Sequence, residues 1–322
     1  MTTRTGAIGV MLPRDLDPAR VVEFSQRADG LGFDELWIVE DLGFRGGVAQ
    51  TAVALAVTRN IRVGVGLLPT GARNVAYAAM EIATLAELFP GRVDIALGHG
   101  MPAWMRSVGA WPRSPLTLFG EYATALRALL AGDEVTSPAT NRYVHLDGVR
   151  LDPATVPAHP PRLLGGMRGP RSLALAGRVA DGTVLAEPTT PEYIEAARER
   201  MGAAGEHRLV GYNAAAVADD PEEALALIRP ALEWIGEEDW EPHIAPLPFA
   251  AEFADHRREA ASRADFAATL PAAWVEQLAV VGTPVSARAR IDALFAAGLD
   301  SSVLIPAGPD PLEALDALAR VL

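Results

Sequence analysis

The feature that most constrains this chain is a rhythm. Short apolar runs of strand length alternate with stretches of helical periodicity throughout its 322 residues. Residues 8–12 form the first run, and Pro13 ends it. Asp17-Pro18 then places a capping side chain before proline at a first helical position. Val21, Val22, Phe24, Ala28 and Leu31 follow at helical spacing, and Gly32 stops the stripe. The same pattern predicts strands at 36–39, 63–68, 93–97, 163–164, 183–186, 209–217 and 303–305. Helices are predicted at 48–57, from Asn74 to about 88, at 116–130, from Pro170, from Thr190-Pro191, at 284–297 and at 312–322. Eight βα units in a chain of this length imply a closed parallel (β/α)8 TIM barrel, one domain over 1–322.

Two segments break the rhythm. Residues 133–160 carry Pro138, Pro153, Pro157 and Pro160, with Pro161 directly after, around Tyr143-Val144-His145-Leu146, the pattern of a hairpin insertion. Residues 221–275 exceed what one crossover needs. Barrel insertions usually follow the C-terminal ends of strands, so both are expected on that face. The longer one is either a cover for a substrate or surface padding.

Absences remove whole chemistries. There is no cysteine, which excludes thiolate nucleophiles, disulfides and cysteine-held metals. All 28 basic residues are arginine, which excludes lysine Schiff bases and a standard P-loop. No dinucleotide-fold, zincin or nucleophile-elbow motif occurs, and the six histidines lack metal-ligand spacing. A net charge of −13 opposes binding to nucleic acid. No run of about 18 apolar residues suits a membrane span and no signal-peptide layout is visible, so a cytoplasmic protein is expected.

The strand ends carry the candidate chemistry. Gly165-Gly166-Met167-Arg168-Gly169-Pro170 joins a strand to a helix, where backbone N–H groups attract an anion and Arg168 can add a charged contact. An ordinary βα turn would also favour these residues. Gly64 and Gly66 lie within a buried strand, where glycine marks a bulge, the close approach of a flat ligand, or merely a crowded barrel layer. Gly98-His99-Gly100 ends the fourth strand, where a histidine can move a proton or serve as a satisfied structural residue. Glu40 and Asp41 end the second strand and face opposite ways, so one at most points inward; Asp41 is favoured. Glu187 ends the sixth strand and is a further carboxylate candidate. Trp104, Trp111, Trp234 and Trp240 suit either a pocket roof or ordinary packing.

Several blocks, in order, resemble the bacterial luciferase-like superfamily of FMN-dependent monooxygenases and coenzyme F420-dependent oxidoreductases. They are residues 32–41 (GFDELWIVED), 62–69 (RVGVGLLP) with Arg73, 91–100 (GRVDIALGHG), 163–170 (LLGGMRGP), 176–182 (AGRVADG), and 281–284 (VGTP) through 297–300 (AGLD). The compact length and the VGTP tail resemble the F420 branch, methylenetetrahydromethanopterin reductase-like, with FMN as the alternative cofactor. The resemblance implies a redox ring held at the C-terminal ends of the strands. It implies a non-proline cis peptide at Gly66–Leu67, a phosphate near 165–170, and His99 and Asp41 as catalytic residues. Cofactor contacts would come from Glu40, Gly66, Leu67, Gly98, Gly165, Gly166, Met167, Arg168, Gly169 and Glu187. It further implies a homodimer, a small-molecule substrate and a separate reductase supplying the reduced cofactor. Two departures stand out: Met101 replaces a carboxylate found in some relatives, and Ala186-Glu187-Pro188-Thr189 lacks a lysine that some place beside the phosphate.

Overall fold

Strands buried on both faces read as nearly continuous apolar runs, and the eight runs form the eight staves of a barrel. The computed structural model describes residues 6–322. In chain order its strands are β1 (Ala7–Met11), β2 (Glu35–Ile38), β3 (Arg62–Pro69), β4 (Val93–Gly98), β5 (Arg162–Gly166), β6 (Gly182–Leu185), β7 (Arg208–Val217), β8 (Val280–Gly282) and β9 (Ser301–Pro306). Parallel neighbours follow the order β6-β5-β4-β3-β2-β1-β9-β7, and pairing of β6 with β7 closes the cylinder. The three-residue β8, which the sequence pattern did not predict, pairs with 215–217, where β7 runs on beyond β6.

Helices α1 (Val21–Leu31), α2 (Gly47–Val57) and α3 (Val75–Leu88) follow the first three strands. The short α4 (Pro102–Ser107) and then α5 (Pro115–Leu130) follow β4; α6 (Pro170–Val179) and α7 (Pro191–Met201) follow β5 and β6. Local chemistry starts and stops them as the sequence predicts. The Asp17 side chain accepts the Ala19 N–H at 2.9 Å and opens a 3-10 turn ahead of α1. Gly32, at φ 90°, ends α1 in the left-handed region that glycine enters freely.

Side chains fill the barrel in layers. At the N-terminal end, Glu35 accepts hydrogen bonds from Trp37 Nε1 (2.8 Å) and Ser301 Oγ (2.7 Å) and pairs with Arg208. Asp94 faces Arg62 at 3.3 Å and Arg162 at 3.6 Å. Above this polar plug, Trp37, Ala96, Leu164, Val184, Val210, Tyr212 and Val303 form a dry layer. Met11, Val39, Leu67 and Ile305 lie on top of it, partly exposed.

The two irregular segments differ. Residues 133–160 leave the end of α5 and lead into β5, so they start at the N-terminal face, not the expected one. They climb beside α5: Glu121 accepts the N–H groups of Arg142, Tyr143 and Val144, and the Tyr143 hydroxyl accepts the N–H of Ser114 at the top of that helix. The only pairing there is a single Val135–Val149 bridge rather than a ladder. Residues 221–275 do leave a C-terminal strand end. They fold as α8 (Pro221–Ile228), α9 (Glu241–Ile244), α10 (Ala250–Glu259), α11 (Arg263–Thr269) and, largely, α12 (Ala272–Leu278), around a second hydrophobic core. α13 (Pro284–Ala296) and α14 (Pro311–Ala319) complete the outer ring.

Candidate active site

The mouth of the barrel has an apolar floor made by a bulge. The pairing of β3 with β4 shifts register between Gly66 and Leu68, and the Gly66–Leu67 peptide is cis. Leu67 thereby lies over the interior, in a slot between Gly98 and Gly166, where a Cβ on either glycine would strike it. This corrects one sequence expectation. The space beside Gly64 and Gly66 is filled by Trp37 and the Tyr212 hydroxyl, not by an approaching ligand. Those two rings meet edge-on at 5.8 Å. The glycines make room for large side chains below, and those side chains support the floor.

The two carboxylates just beyond β2 continue the alternation of that strand. Glu35, Trp37 and Val39 face inward, so Asp41 does too and Glu40 does not. Glu40 is a brace: it holds Arg73 at 2.8 and 3.1 Å and the Gly47 N–H of α2 at 2.8 Å. Asp41 lies on the rim, paired with Arg14 at 2.6 Å, while Arg14 rests over Phe44. Across the mouth, Glu187 precedes cis Pro188. Its carboxyl is pushed up by burial and is acted on by Arg168, Asp41 and Arg14.

His99 turns away from the axis. Ala96 and Gly98 face inward, so the next residue points outward, where its ring meets Phe119 of α5 at 6.0 Å. Both ring nitrogens are buried without a partner, and burial holds the imidazole below its ordinary range. Such atoms are uncommon and mark a place where a ligand or water completes the bonding.

The glycine-rich segment also needs correction. Gly165 and Gly166 belong to β5, packing against Ala176 and Leu67 respectively. Met167 is buried in the outer core and its N–H donates to Val184 O at 3.2 Å. The turn proper is 168–169. Gly169 gives α6 no side-chain cap, so the N–H groups of Arg171 and Ser172 have no acceptor within the helix. The helix end that offers N–H groups therefore lies a few residues beyond the double glycine. Arg168 stacks on Trp240 at 4.5 Å and donates to Asp239 O.

Those contacts come from the long insertion, which reaches across the mouth. Met101 after β4 and Ala307 after β9 both pack on the insertion's core. His243 of α9, buried, lies against Pro188 O at 3.2 Å and against the Tyr193 ring at 4.2 Å, and burial pushes its imidazole down to about 3. Sequence reasoning missed Trp37, Tyr212 and His243. The glycines opposite Trp37 were the available signal; nothing local marked the other two.

These features decide the family. The model for luciferase-like monooxygenases matches residues 3–301. This chain belongs to the luciferase-like monooxygenase family. Among its relatives is 5,10-methylenetetrahydromethanopterin reductase of Methanolobus tindarius, 26% identical over 94% of this chain and 96% of that one. The coenzyme F420-dependent tetrahydromethanopterin reductase of Methanopyrus kandleri superposes with a TM-score of 0.83 at 21% identity, covering 98% of each chain. An F420-dependent secondary alcohol dehydrogenase, solved with an F420–acetone adduct, superposes at 0.76 and 20% identity over 98% of each chain.

The mouth fits a planar ring carrying a phosphate. It offers an apolar floor and free N–H groups at the start of α6, and beside it both His99 ring nitrogens have no hydrogen-bond partner among the described residues. Among the described residues no group of three His, Asp or Glu side chains could hold a metal.

Proposed function

We propose that this family member is a coenzyme F420-dependent oxidoreductase acting on a C=O, C=C or C=N bond, or the corresponding alcohol, of a small organic molecule. The observation that carries the reading is the bulged floor: Leu67 with Met11, Val39 and Ile305 offers a flat apolar platform at the axis of a closed barrel. Bound there, the deazaflavin would supply a two-electron hydride carrier. Leu67 and its neighbours would press one face of the ring, leaving the other toward the substrate. The first turn of α6 and Arg168 would hold the phosphate, and His99, facing that outer side, would add a hydrogen bond. The insertion would exclude water, which favours hydride transfer over side reactions. The relatives named for F420-dependent reactions support this choice.

Titrating the purified protein with coenzyme F420 and with FMN tests it. Binding of F420 at least about tenfold tighter, near 1.4 kcal/mol, is expected; the reverse order would overturn the reading. The alternative, an FMN monooxygenase, is favoured by the name of the family itself.

A homodimer and a separate reductase that supplies reduced cofactor belong to the same proposal. Val53 on α2 and Tyr77, Met80 and Leu88 on α3 are exposed apolar groups that a second copy would cover. A cytoplasmic location also fits, since no helix among the described residues is long and apolar enough to cross a membrane.

A further inference from the structure

Hydride transfer to a C=O or C=N bond also needs a proton, and of the two groups first expected to supply it, neither is free at the axis. His99 faces α5, and Asp41 is held by Arg14 at 2.6 Å. Resting on the oxidoreductase reading above, we propose that Glu187 delivers and collects the proton that accompanies hydride transfer.

The placement of Glu187 is overdetermined. Its loop is clamped from β7 by Asn213, which accepts the Thr189 N–H at 3.0 Å and donates to Thr189 O at 3.0 Å. His243 of the insertion holds the next carbonyl, Pro188 O, from the other side. The charges that act on its carboxyl are Arg168 after β5, Asp41 after β2 and Arg14 after β1; Tyr212 of β7 senses Glu187 and Asp41 in turn. Four groups from strand ends and Tyr212 within β7 share one neighbourhood only near the barrel axis. Among the described residues no other side chain hydrogen-bonds or ion-pairs with the Glu187 carboxylate, which bonds only its own backbone N–H, and the residue is half-buried. It is therefore a carboxyl group held in place by its loop and engaged by no other residue's side chain.

Burial among these groups favours the neutral acid, the form able to donate. In the reducing direction the substrate carbon takes the hydride, with its electron pair, from the reduced deazaflavin. The π bond to oxygen or nitrogen breaks toward the heteroatom, which takes the Glu187 proton and leaves a carboxylate. Solvent at the mouth restores that proton. Oxidation of an alcohol runs the same exchange backward, with the carboxylate as base.

Glu187→Gln keeps the shape and removes the proton, with Glu187→Asp as a control for rescue. In the protein without cofactor, infrared difference spectra against Glu187→Gln are expected to contain a protonated carboxyl band that persists to higher pH than that of a free carboxylic acid and is lost in the variant. With reduced coenzyme F420 and a panel of small ketones and enones, kcat is expected to fall about 100-fold or more in Glu187→Gln. KM and the dissociation constant for oxidised F420, read by tryptophan quenching, should stay within about threefold. Glu187→Asp should recover part of the lost rate. A variant with undiminished kcat, or one that leaves the carboxyl band in place, overturns the assignment to Glu187 alone. Failure of the wild type to bind F420 instead overturns the function on which it rests.

Discussion

The two ends of this barrel treat charge in opposite ways. At the N-terminal end, the Glu35 carboxylate is saturated by Arg208, Ser301 and Trp37, and Asp94 lies between two arginines. At the mouth, Asp41 has one partly exposed partner, the Glu187 carboxylate is bound by no other residue's side chain, and both His99 ring nitrogens are unpartnered, among the described residues. At the closed end most polar groups are spent on structure, although Asp94 Oδ2 and Arg208 Nε have no hydrogen-bond partner among the described residues. Those at the open end remain available to a ligand, as expected of barrels whose sites lie at the C-terminal face.

The sharpest way to break this contrast is to remove a partner at each end. Arg208→Leu strands the buried Glu35 charge and is expected to cost about 3–5 kcal/mol in urea unfolding. Glu187→Gln should cost less than about 0.5 kcal/mol, the range of a change that breaks no structural contact. Equal losses would erase the distinction. Next in size is the support beneath the floor. Gly66→Ala drives a methyl group into Tyr212 and Trp37 and should cost about 1–3 kcal/mol while weakening coenzyme F420 binding.

A pH effect of similar size comes from Asp94, whose carboxyl burial raises to about 6 despite its arginines. A raised acid binds its proton more tightly in the folded state, so this group's contribution is fullest at low pH and shrinks as pH rises from about 4 to about 6. The stability of Asp94→Asn minus that of the wild type should therefore grow across that window, by up to about 3 kcal/mol; a flat difference would count against the buried site. The smallest stability effect belongs to the rim. Arg14→Ala should change stability by less than about 1 kcal/mol, because its ion pair is largely solvated.

The contrast also separates what is legible in the sequence from what is not. The eight barrel strands are readable because double-sided burial writes itself as local apolar runs, and proline with its capping residue marks the helix starts. The three-residue β8 carries too little pattern, and its partner is an overhang of β7 that only the fold creates. At the site, alternation along β2 is enough by itself to separate Asp41 from Glu40. The direction of His99 follows from the same rule only once the inward register of β4 is fixed by its neighbours. Why Gly64 and Gly66 are small is not legible, because Tyr212 is nearly 150 residues away and meets them only across the barrel. Nor can sequence reveal that Gly165 and Gly166 belong to β5, leaving the first turn of α6 as the end with free N–H groups.

A crystal structure of the protein with coenzyme F420 is the most direct test. The deazaflavin ring is expected on Leu67, Met11, Val39 and Ile305, with its phosphate at the N–H groups of Arg171 and Ser172. A ring bound elsewhere, or a mouth that stays empty at saturating coenzyme, would contradict it.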